Sequence, residues 1–318
     1  MSKFGVIHID KALTDFSVAY SNGVYVAERV APVVLVDYQT DKYFVHGKNR
    51  FKVMNDMRAP GTPANPSHWE LSNDSYYCQG HALKDSVAPE DAKNADPGLD
   101  LATDTTEVLT DQVLLNQEVS LVATLEAGMT GNSLADQSSQ KWDNDANDPI
   151  AIIDAEKPEV AKRIGRMPNI LVLSAPLLTA FGKNAKVRGR ITGAPDLPSA
   201  GVTPQQLASL LQLDEVIIAS AVKDTAADGQ AASLDFVWGK NALLAYRPPS
   251  AGRKIVALTV TFVWRNAGQT LGGQNVGGQF VRRWFDQNAI ADMVEVHKYY
   301  DQKIVDAGAG CLFTNCIA

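Results

Sequence analysis

The sequence predicts a mixed α+β protein, and three observations carry that reading. Residues Thr105–Ala127 run at helical periodicity with no internal proline or glycine. From residue 169 onward, short helix and strand patterns are interspersed rather than segregated. Between the N-terminus and the long helix, residues 38–86 read as an extended two-limbed excursion with a proline-rich tip. A lone two-stranded ribbon is marginal in water, so something must cover it. The cover is a neighbouring subunit or, in the plainer reading, the ribbon's own domain.

The elements follow in order. Residues 1–30 read as an arm of mixed polarity, with the apolar stretch Phe16–Val26 broken at Asn22-Gly23. Val33–Asp37 is a short apolar strand. Tyr43–Val53 reads as two extended runs about a turn at Gly47, a hairpin signal. Arg58–Ser67 holds three prolines and a glycine, which excludes helix and central strand. Trp69–Asp85 returns as extended chain, and Pro89–Asp104 is polar and turn-like. In the long helix Leu115, Val119, Val122 and Glu126 trace one face. Leu114, Leu121 and Leu125 widen that face, while Glu107, Asp111, Gln117 and Thr124 fall outside it. The rod is roughly 34 Å long, and Gly128 ends it. Ser133–Pro149 is polar and acidic with Trp142 as its aromatic anchor, and Asp154–Ile164 is a second helix closed by Gly165.

Asn169–Ser174 is a strand, followed by a short helix Pro176–Phe181 that stops at Gly182. Val202–Leu213 is a helix with Thr203 as N-cap, Pro204 at the first position and Gln206 completing a capping box. Strands are expected at Glu215–Val222, Asp235–Trp238 and Ala242–Tyr246, the last two split by Gly239. Lys254–Trp264 alternates with apolar character on both faces, as in a strand covered on both sides. Met293–Tyr300 and Cys311–Cys316 are late strands. No internal repeat is evident.

Composition narrows the function classes. Hydrophobic residues make up 45% of the 318, the share of a folded protein. The balance of 36 acidic against 29 basic residues argues against tight sequence-specific DNA binding, though it leaves room for a local basic patch. No apolar run approaches the length of a membrane span, and the N-terminus lacks a signal-peptide pattern. Cys78, Cys311 and Cys316 read as cytosolic thiols.

Catalytic constellations fail on chemistry. Asp143, Asp145, Asn147 and Asp154 fit part of a calcium loop, but Asp148 stands where glycine is required. Gly268–Gly278 is glycine-rich yet lacks the lysine and hydroxyl of a phosphate loop, so it reads as a mobile loop or, in a functional version, as one that adapts where subunits crowd. His68, Cys78 and His81 have no zinc spacing, and His8, His46 and His297 are isolated. Neither a cofactor nor a metal is predicted, and no enzyme activity is expected. Arg163, Arg166, Arg188 and Arg190 suit ion pairs between subunits or ordinary surface. Arg282, Arg283 and Lys298 suit a phosphate backbone or partner carboxylates.

Taken in order, several segments resemble the major capsid proteins of tailed double-stranded DNA bacteriophages with the HK97-like fold. They are Pro32–Val36, Tyr43-Phe44, Phe51–Val53, Trp69, Tyr76 and Cys78, then the long helix, Trp142–Ile150 and Gly165–Asn169. Ile170–Ser174, Pro176–Phe181, Gly277-Gly278, Arg283–Asp286 and Val294–Asp301 complete the order. The resemblance implies an N-terminal arm and first strand at 1–37, an extended β-hairpin loop at 38–86 and a peripheral domain with the spine helix at 87–168. It implies a mixed α/β axial domain within 169–318, whose chain returns to the peripheral domain. It further implies self-assembly into hexamers and pentamers of an icosahedral shell enclosing double-stranded DNA. Portal, scaffolding and decoration proteins are implied as partners, the virion capsid as the location and the bacterial host cytoplasm as the place of assembly, with no membrane involved. The residues expected between subunits are Tyr43, Phe44, Phe51, Arg58, Trp69, Tyr76, Arg163, Arg166, Arg188, Arg190, Arg283 and Trp284.

Some members join subunits through a lysine–asparagine isopeptide bond. Lys42, Lys48 and Lys52 lie on the loop, but no catalyst or asparagine partner is readable, and no crosslink is predicted. Nothing at the N-terminus resembles the removable scaffolding segment of other members. Two other readings are an encapsulin-like shell around cargo protein and an α+β enzyme of unrecognised class. A cargo-peptide groove would favour the first, and a deep polar pocket with converging titratable groups the second.

Overall fold

The computed structural model describes residues 8–9, 13, 17, 24–67, 71–94, 100–192, 202–227, 229–270 and 278–318. Most of the expected arm, and residues 271–277 of the glycine-rich loop, lie outside the described residues.

Two sheets organise the chain. The first runs β1 (His8–Ile9), β13 (Gln279–Asp286), β14 (Ala291–Ile304), β12 (Thr259–Trp264) and β2 (Val33–Val36), with β5 (Gln79–Val87) also paired to β14. All these pairs are antiparallel except β12 with β2. The long strand β14 holds β13 and β5 along its first part and β12 along its last. The spine helix Leu101–Gly128 packs on this sheet, with Leu109 and Val113 meeting Val281, Val294 and Val296. The period of two in β14 puts Val294, Val296 and Lys298 on the helix-facing side.

The second sheet runs β6 (Leu134–Asp136), β15 (Gly310–Thr314), β11 (Ala242–Ala245), β7 (Ile170–Ser174) and β8 (Glu215–Ala219). β7 and β11 are buried along their whole length. Their near-continuous apolar runs fit strands covered on both faces. Helices Pro149–Ile164, Ala175–Lys183 and Pro204–Leu210 contribute Ile153, Phe181 and Leu207 to the same core. Trp142 is fully buried there, its ring 5.4 Å from both Phe181 and Phe313. Outside the two sheets stand a ribbon, β3 (Thr40–His46) with β4 (Leu71–Tyr77), and a small hairpin, β9 (Val222–Asp224) with β10 (Leu234–Phe236).

Several expectations need correction. The chain does not fold back at Gly47: β3 pairs with the distant return limb β4, and Lys48–Phe51 forms a 3₁₀ turn. The polar stretch 89–104 contains a helix, Pro89–Asn94. The spine helix begins at Leu101 because the Asp100 side chain accepts from the Ala102 N–H and caps it. Gln117, expected outside the apolar face, is buried. The second helix starts at Pro149, where Asp148 accepts from Ala151 N–H and the proline sits in the first turn. Its end is as expected, with Gly165 left-handed at φ 72°. The helix at 176–181 continues through Gly182 to Lys183. The expected strand 215–222 divides into β8 and β9, which belong to different sheets. Of Lys254–Trp264, only Thr259–Trp264 is strand. The helix Ala185–Thr192 and strand β13 were not expected. The capping box of Thr203 and Gln206 forms as expected.

Candidate assembly surface

The ribbon is anchored at its root and bare at its tip. At the root, Tyr43 and Tyr76 are buried against Phe262, with ring centroids 5.3 and 4.5 Å away. The Tyr43 hydroxyl donates to Asp74 Oδ2 at 3.0 Å, and burial together with that carboxylate pushes its pKa well up. The Phe44 N–H donates to the Arg253 carbonyl at 3.1 Å, Lys254 Nζ sits 5.3 Å from the Phe44 ring, and Arg253 pairs with Asp41. Beyond the root the chain is exposed from Phe51 through Ser67. Val53 is 96% exposed and Met57 82%.

The tip is nevertheless ordered by its own bonds. Thr62 N–H donates to Ala59 O at 3.2 Å across Pro60 and Gly61, whose φ is 81°. Proline then glycine with positive φ is the type II turn signature. Asn65 Nδ2 donates to Asn55 O at 2.8 Å and ties the outgoing limb to the return limb. The finger is therefore ordered within its own chain and carries exposed apolar side chains at Val53 and Met57.

The expected intersubunit residues occupy different settings. Tyr43 and Tyr76 serve the chain's own core, Phe44 lies at the root, Arg58 is exposed on the finger, and Trp69 lies outside the described residues. Phe51 is half-exposed and rests on Gly165. Phe51 and Arg163 line one cavity with Lys48, Glu156, Glu159 and Lys162. Arg166 donates to the Tyr246 hydroxyl at 3.0 Å. Arg188 and Arg190 share the helix Ala185–Thr192, and Arg190 pairs with Asp148. Arg283 pairs with Asp292 at 3.0 Å on the β13–β14 hairpin, and neighbouring Trp284 lies under Arg282 at 5.7 Å. The exposed apolar residues Phe285 and Ile290 share this hairpin. The described residues of this set thus do not form one continuous surface.

Sequence reasoning missed a buried junction. Glu118 of the spine helix is fully buried and accepts from Val26 N–H at 3.0 Å, Ala27 N–H at 2.6 Å and Trp238 Nε1–H at 2.5 Å. It thereby caps the short helix Ala27–Val30 from outside and ties the N-terminal segment to the spine helix. Burial pushes its carboxyl pKa up, against the three N–H donors. Beside it, buried Lys298 donates to Glu28 Oε1 and Gln117 Oε1, each at 2.7 Å. The available signal was position: Glu118 falls on the apolar stripe between Leu115 and Leu121.

Among the described residues no group of three His, Cys, Asp or Glu is placed to hold a metal, and no helix is long and apolar enough to cross a membrane. Burial pushes the Cys78 and Cys311 thiols up to about 12, so neither is a ready nucleophile.

No family model matches the chain. It is 28% identical over 244 residues to the major capsid protein of Pseudomonas phage JBD67, covering 75% of this chain and 77% of that one. It is 26% identical to the major capsid protein of Burkholderia phage BcepMu, covering 77% and 78%. Among solved structures, a phage-related protein from Bordetella bronchiseptica RB50 superposes with a TM-score of 0.75 at 20% identity, covering 98% of this chain and 99% of that one. The capsid of cyanophage P-SCSP1u superposes at 0.59 with 8% identity, covering 98% and 92%. The SrpI encapsulin of Synechococcus elongatus superposes at 0.54 with 12% identity, covering 98% and 91%. The chain is thus similar in sequence to phage major capsid proteins, and its fold is the HK97-like fold of phage capsid structures.

Proposed function

We propose that copies of this chain assemble into hexamers and pentamers of an icosahedral shell around double-stranded DNA, as the virion capsid built in the bacterial host cytoplasm. The observation that carries the reading is the preformed, uncovered finger. Val53 and Met57 project, almost bare, from a segment with its own turn and cross-limb bond. Burying such side chains on a neighbour stabilises by about 1.5–3 kcal/mol each when complete. Repetition of modest contacts around a closed shell then holds each copy on several sides. The role is structural rather than catalytic. Portal, scaffolding and decoration proteins are the expected further partners.

In this assignment the arm and first strand occupy 1–37, the extended loop 38–86 and the peripheral domain 87–168. The remaining chain, 169–318, supplies the axial domain and the strands that return to the spine helix. The five-stranded sheet is the body of the axial domain, and β12, β13 and β14 are the returning strands. The encapsulin-like alternative shares the fold, but both sequence relatives are phage capsid proteins. Electron microscopy of the chain purified from phage-producing cells tests the reading: closed icosahedral particles with nuclease-resistant double-stranded DNA are expected. Particles filled with protein cargo, or a monodisperse monomer at high concentration, would overturn it.

A further inference from the structure

Beyond its root the ribbon meets its own body at Phe51. The Phe51 ring lies over Gly165, the left-handed residue that ends the helix Pro149–Ile164. A Cβ at Gly165 would meet ring carbon Cε1 at 2.7 Å, so only a bare glycine admits the ring. Around this contact the fit is loose. A cavity of about 680 Å³ separates the ribbon's Lys48 and Phe51 from Glu156, Glu159, Lys162 and Arg163 on the helix. Phe51 itself remains 49% exposed. An aromatic ring packed on a glycine at the edge of open space is a contact that holds position but can open locally.

We propose that Phe51 on Gly165 is an intramolecular latch that parks the ribbon against its own helix in the unassembled chain and must release before the finger engages a second copy. This rests on the assembly reading above and adds a regulatory step to it. The part of the ring that lies on Gly165 cannot serve its own helix and a neighbour at once, so the parked state withholds that part from assembly. An intramolecular contact of this size reduces the competent fraction several-fold, and its removal raises apparent affinity by the same factor.

The test uses the full chain as wild type and Phe51→Ala. In the unassembled protein, amide exchange at residues 48–51 is expected to accelerate in the variant, and equal exchange would overturn the latch. In assembly followed by light scattering, Phe51→Ala is expected to lower the concentration needed for particles roughly 3- to 10-fold, and an unchanged or raised concentration would overturn it. Gly165→Ala, which displaces the ring from the other side, is expected to shift assembly in the same direction. If wild type formed no particles at any concentration, the assembly reading would fail, while the exchange measurement would still decide the latch.

Discussion

The finger and the Glu118 junction are opposite solutions to holding a segment in place. At the junction, one carboxylate on the spine helix takes three N–H donors from two other parts of the chain, in a site closed to water. At the finger, seventeen consecutive residues from Phe51 through Ser67 are exposed, and the tip is held by local bonds, among them a turn and a cross-limb amide bond. Buried polar groups are costly to leave unpaired, whereas exposed ones exchange freely with water. The junction therefore commits the chain to one internal arrangement, and the finger keeps its binding groups for something outside.

The most severe way to break this contrast is at the junction. Glu118→Ala leaves three buried donors without an acceptor, at roughly 1–3 kcal/mol each. A loss of at least about 3 kcal/mol in urea unfolding is expected. Glu118→Gln keeps one accepting oxygen and should fall between Ala and wild type. Replacing residues 52–66 by a short glycine–serine linker is the complementary change. It should abolish particle formation while moving the unfolding midpoint of the body little.

Acid sharpens the contrast within the core. Burial lowers the pKa of His81 and His297 below 6.5, against Glu295 in the case of His297. Their contribution is complete above 6.5 and lost as pH falls through the folded values. Glu118 has the opposite sign. Its carboxyl is raised above 4.5, so its ionisation opposes folding at neutral pH and the penalty is relieved on acidification. Thermal unfolding should fall less steeply between about pH 7 and 5.5 in His81→Gln/His297→Gln than in wild type, and more steeply toward acid in Glu118→Gln. The smallest effect on stability is expected at the finger: Val53→Lys or Met57→Lys should change unfolding by no more than about 0.5 kcal/mol yet weaken assembly.

The legible parts of the sequence were those with local physics. The spine helix, the capping box at Thr203, the glycine stop at Gly165 and the bare proline tip each announce themselves within a few residues. The two-limbed excursion 38–86 was legible and β3 pairs with β4 across it, but the turn at Gly47 was misleading, because the partner of β3 lies beyond a long loop. Tyr43 and Tyr76 looked like contact residues, but Phe262, far along the chain, covers them. Glu118 and Gln117 were hidden for the same reason. Their polar partners Trp238 and Lys298 come from distant segments and override the preference of a charged or amide group for water.

The central claim is that the finger's cover is another copy of the chain. Tryptic cleavage after Lys52 and Arg58, measured in intact particles and in dissociated chains, tests it most directly. Slow cleavage in particles and rapid cleavage in free chains is the expected result. Equal rates in both would show that the finger remains uncovered in the shell and would contradict the account.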